Sequence, residues 1–137
     1  MPALVSAGRW WERAAGYEIY VPSFADGNGD GLGDLTGICE RLDYLAWLGI
    51  DLIWLTPFYR SPLADHGYDV ADYCRVDPRF GGAAAVGAVI AEAHRLGLRV
   101  LIDLVASHTS AEHAILTLTS DETVIVRTDD SGFPPGG

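Results

Sequence analysis

Apolar positions along the chain change their spacing from segment to segment, and each change predicts an element. Tyr17-Glu18-Ile19-Tyr20-Val21 is short and rich in aromatic and β-branched side chains, which predicts a strand over 17–21. Leu35, Ile38, Leu42, Leu45 and Leu48 then recur every three or four residues and Gly49 follows, so a helix with a glycine stop is predicted. Residues 51–55 are an apolar run closed by Thr56-Pro57, as in a buried parallel strand. A second helix is predicted over about 83–96, with Val86, Val89, Ile90, Ala93 and Leu96 on one face and Gly97 as its stop. A third strand follows over 99–105, apolar but for Arg99 and for Asp103 near its carboxyl end. Strand, helix, strand, helix, strand is the order of an α/β protein with parallel strands.

Between these elements the pattern is less regular. Trp10-Trp11-Glu12-Arg13-Ala14 is an aromatic lead-in that calls for packing and no chemistry. Residues 58–82 have no clear period but hold Pro62, His66, Gly67, Tyr68, Asp69, Asp72 and Tyr73, so they are expected to form a long structured loop of the kind that carries function. Beyond His108 the signal degrades, and no element is assigned over 111–137 despite apolar residues at 114–118 and 123–126. No internal repeat is visible.

The stretch 26–34, Asp-Gly-Asn-Gly-Asp-Gly-Leu-Gly-Asp, follows the first strand. Asp26, Asn28, Asp30 and Asp34 alternate with glycines that allow a tight coil, and carboxylates so crowded repel one another unless a cation sits between them. A hard divalent ion answers that need; a metal-free Gly-Asp surface turn is the alternative. The first six positions match an EF-hand loop, but position twelve, which needs a bidentate Glu, is Gly37, and the flanks are a strand and a helix. The EF-hand reading therefore fails.

Composition narrows the partners. The 137 residues are 49% hydrophobic, enough for a globular core, and nine basic against nineteen acidic residues give a net charge of −10, which argues against nucleic acid. Cys39 and Cys74 make no disulfide framework and suit a reducing compartment. No apolar run reaches the length of a membrane span, and 1–9 lack a signal-peptide pattern, so the expectation is a cytoplasmic protein without a membrane partner.

The chemistry-bearing residues follow the carboxyl ends of the three strands: 26–34, Gly67-Tyr68-Asp69, and Asp103 to His108. In parallel α/β folds that face carries the ligand. An aromatic ring beside a carboxylate, as in Tyr68-Asp69, suits a sugar, although such a pair alone is as compatible with an ordinary turn, and a lone His108 with a structural role.

As a set, these residues resemble the α-amylase superfamily of glycoside hydrolases, in its α-glucosidase and oligo-1,6-glucosidase branch. The resemblance runs from Trp10 to His113 through Ile19-Tyr20, Ser23-Phe24-Ala25-Asp26-Gly27-Asn28-Gly29-Asp30-Gly31, Leu42-Asp43-Tyr44-Leu45, Ile53-Trp54-Leu55-Thr56-Pro57, Gly67-Tyr68-Asp69-Val70-Ala71-Asp72-Tyr73, Asp103-Leu104-Val105 and His108-Thr109-Ser110. It implies the first three strands and two helices of a (β/α)₈ TIM barrel over 1–110. It also implies a shortened start of the excursion after the third strand over 111–137. The implied chemistry is retaining cleavage of α-glucosidic bonds in glucosides or oligosaccharides. Asp26, Asn28, Asp30, the Leu32 carbonyl and Asp34 look like the family's structural Ca²⁺ loop. Tyr68 is similar to the ring under the sugar, Asp69 to the carboxylate gripping a terminal glucose, His108 to a histidine bonding the same sugar, and Asp103 to a buried supporting carboxylate.

Two departures from the family pattern stand out. Ser107 replaces the asparagine that precedes the family's histidine, substituting a short hydroxyl for an amide. A (β/α)₈ barrel takes about 250 residues, and the family's nucleophile, acid/base and third carboxylate come from the fourth, fifth and seventh strands. No catalytic carboxylate is therefore expected in this chain, and the remainder of the barrel is missing from it. A truncated or calcium-dependent carbohydrate-binding piece is the alternative from another class. Glucosyl transfer or isomerisation, as in trehalose or sucrose isomerase relatives, is the alternative enzyme.

Overall fold

The computed structural model describes residues 9–113. The chain runs from β1 (Gly16–Ile19) through a single helical turn, α1 (Val21–Phe24), to α2 (Leu35–Leu48), β2 (Leu52–Leu55), β3 (Tyr59–Arg60), β4 (Asp72–Val76), α3 (Gly82–Arg95) and β5 (Arg99–Ile102). The excursion expected after the third strand falls, from residue 114 on, outside the described residues. No described helix is long and apolar enough to cross a membrane.

β1, β2 and β5 form one parallel sheet in that order, with Ile19, Leu55 and Ile102 level across it. The first strand stops short of the predicted 17–21 because Pro22 stands in the first turn of α1, where its fixed φ suits a helix start and it has no N–H for a ladder. The third strand ends at Ile102 rather than 105. Asp103 N–H still donates to the Leu55 carbonyl at 3.1 Å, but the next donor on the neighbouring strand falls at Pro57, which has no N–H.

The stretch 58–82 is more ordered than its sequence pattern suggests. β3 and β4 pair antiparallel, Tyr59 opposite Val76 and Arg60 opposite Asp72, with an irregularity between them. A two-residue strand carries no readable alternation, and a bulge breaks the period of two, so neither strand was visible in the sequence. Cys74, expected in a loop, is on β4 and exposed.

One face of the parallel sheet holds the core. Ile19, Ile53 and Leu55 pack with Leu35, Ile38, Leu42 and Leu45 of α2 and with Val89 and Ala93 of α3, all fully buried. Each such Leu or Ile contributes about 1.5–3 kcal/mol relative to exposure. Two glycines let α2 approach this closely: a Cβ on Gly37 would lie 2.2 Å from the Ala25 carbonyl oxygen, and one on Gly33 would lie 2.3 Å from that of Val21. Position 37 therefore excludes the glutamate an EF-hand needs on packing grounds as well.

The other sheet face is uncovered among the described residues, while Ile53 and Leu55 of β2 are buried on the helix side. Trp54 is 40% exposed and its in-register neighbour Leu101 is 48% exposed, while β5 offers an open edge. Such a face invites association. Light scattering of the isolated 137-residue chain is expected to show species larger than a monomer, reduced by Trp54→Lys with Leu101→Lys; a compact parent monomer would overturn this.

Candidate functional site

The sheet register places Tyr20, Thr56 and Asp103 one residue beyond β1, β2 and β5. They are tied level by Thr56 N–H to the Ile19 carbonyl at 3.0 Å and Asp103 N–H to the Leu55 carbonyl at 3.1 Å. The Asp103 carbonyl, facing the missing N–H of Pro57, accepts from the Tyr59 hydroxyl at 3.2 Å. Its carboxylate accepts from the Tyr68 hydroxyl at 2.8 Å. Burial, that hydrogen bond, and the nearby charges of Asp103, Glu18 and Asp65 push the Tyr68 phenol up from 10.0 to about 12.

Asp69 sits in the next position and is held by different partners. Its Oδ1 accepts from the Ser61 hydroxyl at 2.8 Å and its Oδ2 from the Ala64 N–H at 2.9 Å. Burial works to raise its pKa, but Ser61 and the amides of Asp65 and Ala64 outweigh burial and leave it below the ordinary carboxylate value. A carboxylate has about four acceptor positions, so capacity for a ligand hydroxyl remains. His108 is exposed, and the Ser107 hydroxyl lies 3.0 Å from its Nδ1, so the short side chain at 107 meets the imidazole directly. The Tyr73 hydroxyl lies 2.7 Å from the carbonyls of both Val105 and His108 and fixes that turn. Among the described residues the structure joins Tyr68 to Asp103 directly, while no hydrogen bond links His108 to Tyr68, Asp69 or Asp103.

The loop 26–34 wraps around its own amides. Asp26 accepts from the N–H groups of Asn28, Gly29 and Gly31 at 3.1, 2.6 and 2.8 Å. The Gly31 amide first, then that of Gly29, holds its carboxyl below the usual range. Asn28 Nδ2 donates to Asp30 at 3.1 Å, and Asp30 accepts the Leu32 N–H at 2.8 Å. Asp34 is buried and caps α2, its Oδ1 accepting from Gly37 N–H at 2.7 Å and Gly27 N–H at 3.3 Å. Backbone amides therefore supply part of the charge compensation that the sequence pattern assigned to a cation. Among the described residues no group of three or more Asp, Glu, His or Cys converges as a metal site. The all-oxygen set of Asp26, Asn28, Asp30, the Leu32 carbonyl and Asp34 fits a hard cation in chemistry, with Asp34 Oδ1 already committed to capping.

With this geometry in place, comparison with known proteins is decisive for the family. The family described as alpha amylase, catalytic domain, matches residues 18–129. The chain belongs to that family. It is 60% identical over 104 residues to a probable alpha-glucosidase of Rhizobium meliloti (76% of this chain, 19% of the relative). It is 51% identical over 105 residues to an oligo-1,6-glucosidase of Heyndrickxia coagulans (77% and 19%). The solved structure of an alpha-glucosyl transfer enzyme, XgtA, superposes with a TM-score of 0.77 at 54% identity, over 79% of this chain and 20% of that one. The chain spans about a fifth of the length of the curated relatives it matches. Its described residues are the first three strands and two principal helices of the α-amylase-family (β/α)₈ barrel, an incomplete barrel.

Ser61, Tyr59 and the Tyr20–His66 pair were not singled out from the sequence. Ser61 and Tyr59 act across β3 and the strand ends, contacts that no spacing reveals. Tyr20 had one signal: it stands two residues after Glu18 and so shares its side of the strand.

The raised Tyr68 value has a testable sign. Its stabilising contribution is fully present below pH 10.0, the unfolded value, and is lost as pH rises through about 12. Tyr68→Phe is expected to remove that alkaline loss of stability and one late-ionising tyrosine from an ultraviolet phenolate titration; an unchanged titration would refute the Tyr68–Asp103 contact.

Proposed function

We propose that this chain supplies a calcium loop and part of the sugar pocket of a retaining α-glucosidase that acts on α-linked glucosides or oligosaccharides in the cytoplasm. The observation that carries the reading is the Tyr68–Asp103 bond at 2.8 Å beside Asp69 on the strand-end rim, which offers a ring face, a braced carboxylate and a second acceptor at one place. Tyr68 packs against the sugar, Asp69 and His108 bond its hydroxyls, and Asp103 fixes the Tyr68 ring through its hydroxyl. Two exposed or half-exposed thiols, Cys74 and Cys39, and the acidic charge support a reducing compartment without a nucleic-acid partner.

Hydrolysis with retention needs two carboxyl groups about 5–5.5 Å apart flanking the bond, one to attack and one to protonate. Neither Asp69, bonded by Ser61 and Ala64, nor Asp103, bonded by Tyr68, has that assignment. The 137-residue chain alone is therefore expected to leave an aryl α-glucoside untouched. A completed barrel, with residues 9–113 in place of the matching residues of the Rhizobium meliloti relative, is expected to cleave it. In that barrel Asp69→Asn should lower kcat/KM at least tenfold, as loss of a charge-assisted bond of about 1.5–3 kcal/mol requires, with a smaller loss of stability from the weakened Ser61 and Ala64 bonds. Turnover by the isolated chain that Asp69→Ala abolishes would overturn this reading. Glucosyl transfer is a second reading, favoured by the 54% identity to XgtA; the ratio of transfer product to free glucose from maltose separates the two.

Calcium at Asp26, Asn28, Asp30, the Leu32 carbonyl and Asp34 would act structurally, neutralising the loop where β1 passes into α2. A ligand bound only by the folded state at a hundredfold excess over its Kd stabilises by about 2.7 kcal/mol. The melting temperature of the completed barrel is expected to rise from chelator to excess calcium, and Asp30→Ala to abolish the rise. Coincident melting curves for the unsubstituted barrel would leave the loop a metal-free turn.

A further inference from the structure

The Tyr68–Asp103 contact is one side of the rim; the other is built from Tyr20 and His66. The Tyr20 hydroxyl lies 2.9 Å from His66 Nδ1, and the two rings meet edge to face with centroids 5.9 Å apart. His66 holds φ +53, a left-handed backbone that a non-glycine residue keeps only where its surroundings impose it. Gly67, at φ +99, continues the same turn, and a Cβ there would lie 2.9 Å from the Pro57 carbonyl oxygen. The turn closes with Tyr68 N–H donating to the Asp65 carbonyl at 2.8 Å. The imidazole is thus fixed at both ends, by the backbone beneath it and by the phenol against Nδ1. Among the described residues Tyr20 is its only hydrogen-bond partner, which leaves Nε2 for something else. Among the described residues both side chains are exposed.

Position supports the same view. Tyr20 and Asp103 are level on the outer strands of the three, so their Cα atoms stand about 10 Å apart at the usual strand spacing. Tyr20 follows Glu18 by two residues, and the Glu18 charge acts on Tyr68. His66, bonded to Tyr20 and two residues before Tyr68, stands at the same rim.

We infer that His66 is a specificity-determining residue of the sugar pocket, its Nε2 bonding a hydroxyl of a neutral α-linked saccharide opposite Asp103, and that Tyr20 is the positioning residue that sets the imidazole. This rests on the α-glucosidase reading above. The aromatic contact and the hydrogen bond to Nδ1 hold the ring in place, so it can bond a hydroxyl without the entropy cost of ordering it on binding.

The test measures inhibition of the completed barrel by a thio-linked, non-hydrolysable maltose, alongside melting temperature. His66→Gly accepts the left-handed backbone without strain, so its melting temperature should hold or rise while the inhibition constant weakens about fivefold, the size of one hydrogen bond. His66→Asn, which tolerates the same backbone and keeps a polar group, should recover part of the affinity. Tyr20→Phe should weaken binding less than His66→Gly and add nothing to it in the double variant, because Tyr20 acts through the imidazole. An unchanged inhibition constant in His66→Gly would overturn the inference while leaving the α-glucosidase reading intact, as would a Tyr20→Phe effect that persists in full in the double variant. A completed barrel that neither cleaves an aryl α-glucoside nor is inhibited by the thio-sugar would overturn the reading on which the inference rests, and the inference with it.

Discussion

Asp34 is the residue on which the first half of the structure turns. Its buried carboxylate takes the N–H groups of Gly27 and Gly37, closing the 26–34 loop and capping α2 with one oxygen. The cap is worth about 1 kcal/mol as a helix start. Its larger effect is geometric, because it brings α2 down so tightly that the Ala25 and Val21 carbonyls touch the helix and loop backbone where only glycine fits. Leu35, Ile38, Leu42 and Leu45 then reach the sheet, and β1 is held against β2 with Tyr20 at the rim. The loop proposed to hold calcium is therefore also a structural joint.

Function follows from what the sheet does not cover. The helices α2 and α3 bury one face, and the barrel architecture of the family turns the other face inward, so Glu18, Trp54 and Leu101 are interior positions that the described strands alone leave open. At the carboxyl ends, where the ladder runs out at Pro57, carbonyls and carboxylates that cannot pair within the sheet are taken up by tyrosine hydroxyls from the 58–82 segment: Tyr59 and Tyr68 on Asp103, Tyr73 on the 105–108 turn. A row of phenols bracing polar backbone ends makes a rigid, aromatic, acceptor-rich rim, which is the chemistry a sugar's hydroxyls and apolar ring faces require.

Asp69 accepts from Ser61 and Ala64, and Asp103 from Tyr68. In the (β/α)₈ plan several strand ends contribute to one site. A chain spanning about a fifth of its relatives' length supplies three of those strand ends.

What the sequence determined by itself was everything with a local cause. The periods of 3.6 and the apolar runs located α2, α3, β2 and the start of β5, because burial on one face repeats along an element. The glycine stop at Gly49 takes the expected left-handed conformation, at φ +87. Asp103 was legible as the one carboxylate near the end of an apolar run, and Tyr68-Asp69 as an aromatic–carboxylate pair within a stretch that resembles the family. What only the tertiary structure decided were pairings without a period. The antiparallel β3–β4 pair joins residues brought together by a bulged two-residue strand. Ser61 on Asp69 is set by the course of the loop, and Tyr20 on His66 spans 46 positions. That one oxygen of Asp34 caps α2 was likewise not legible, because which unpaired N–H groups lie nearest a carboxylate is a fact of folding rather than of spacing.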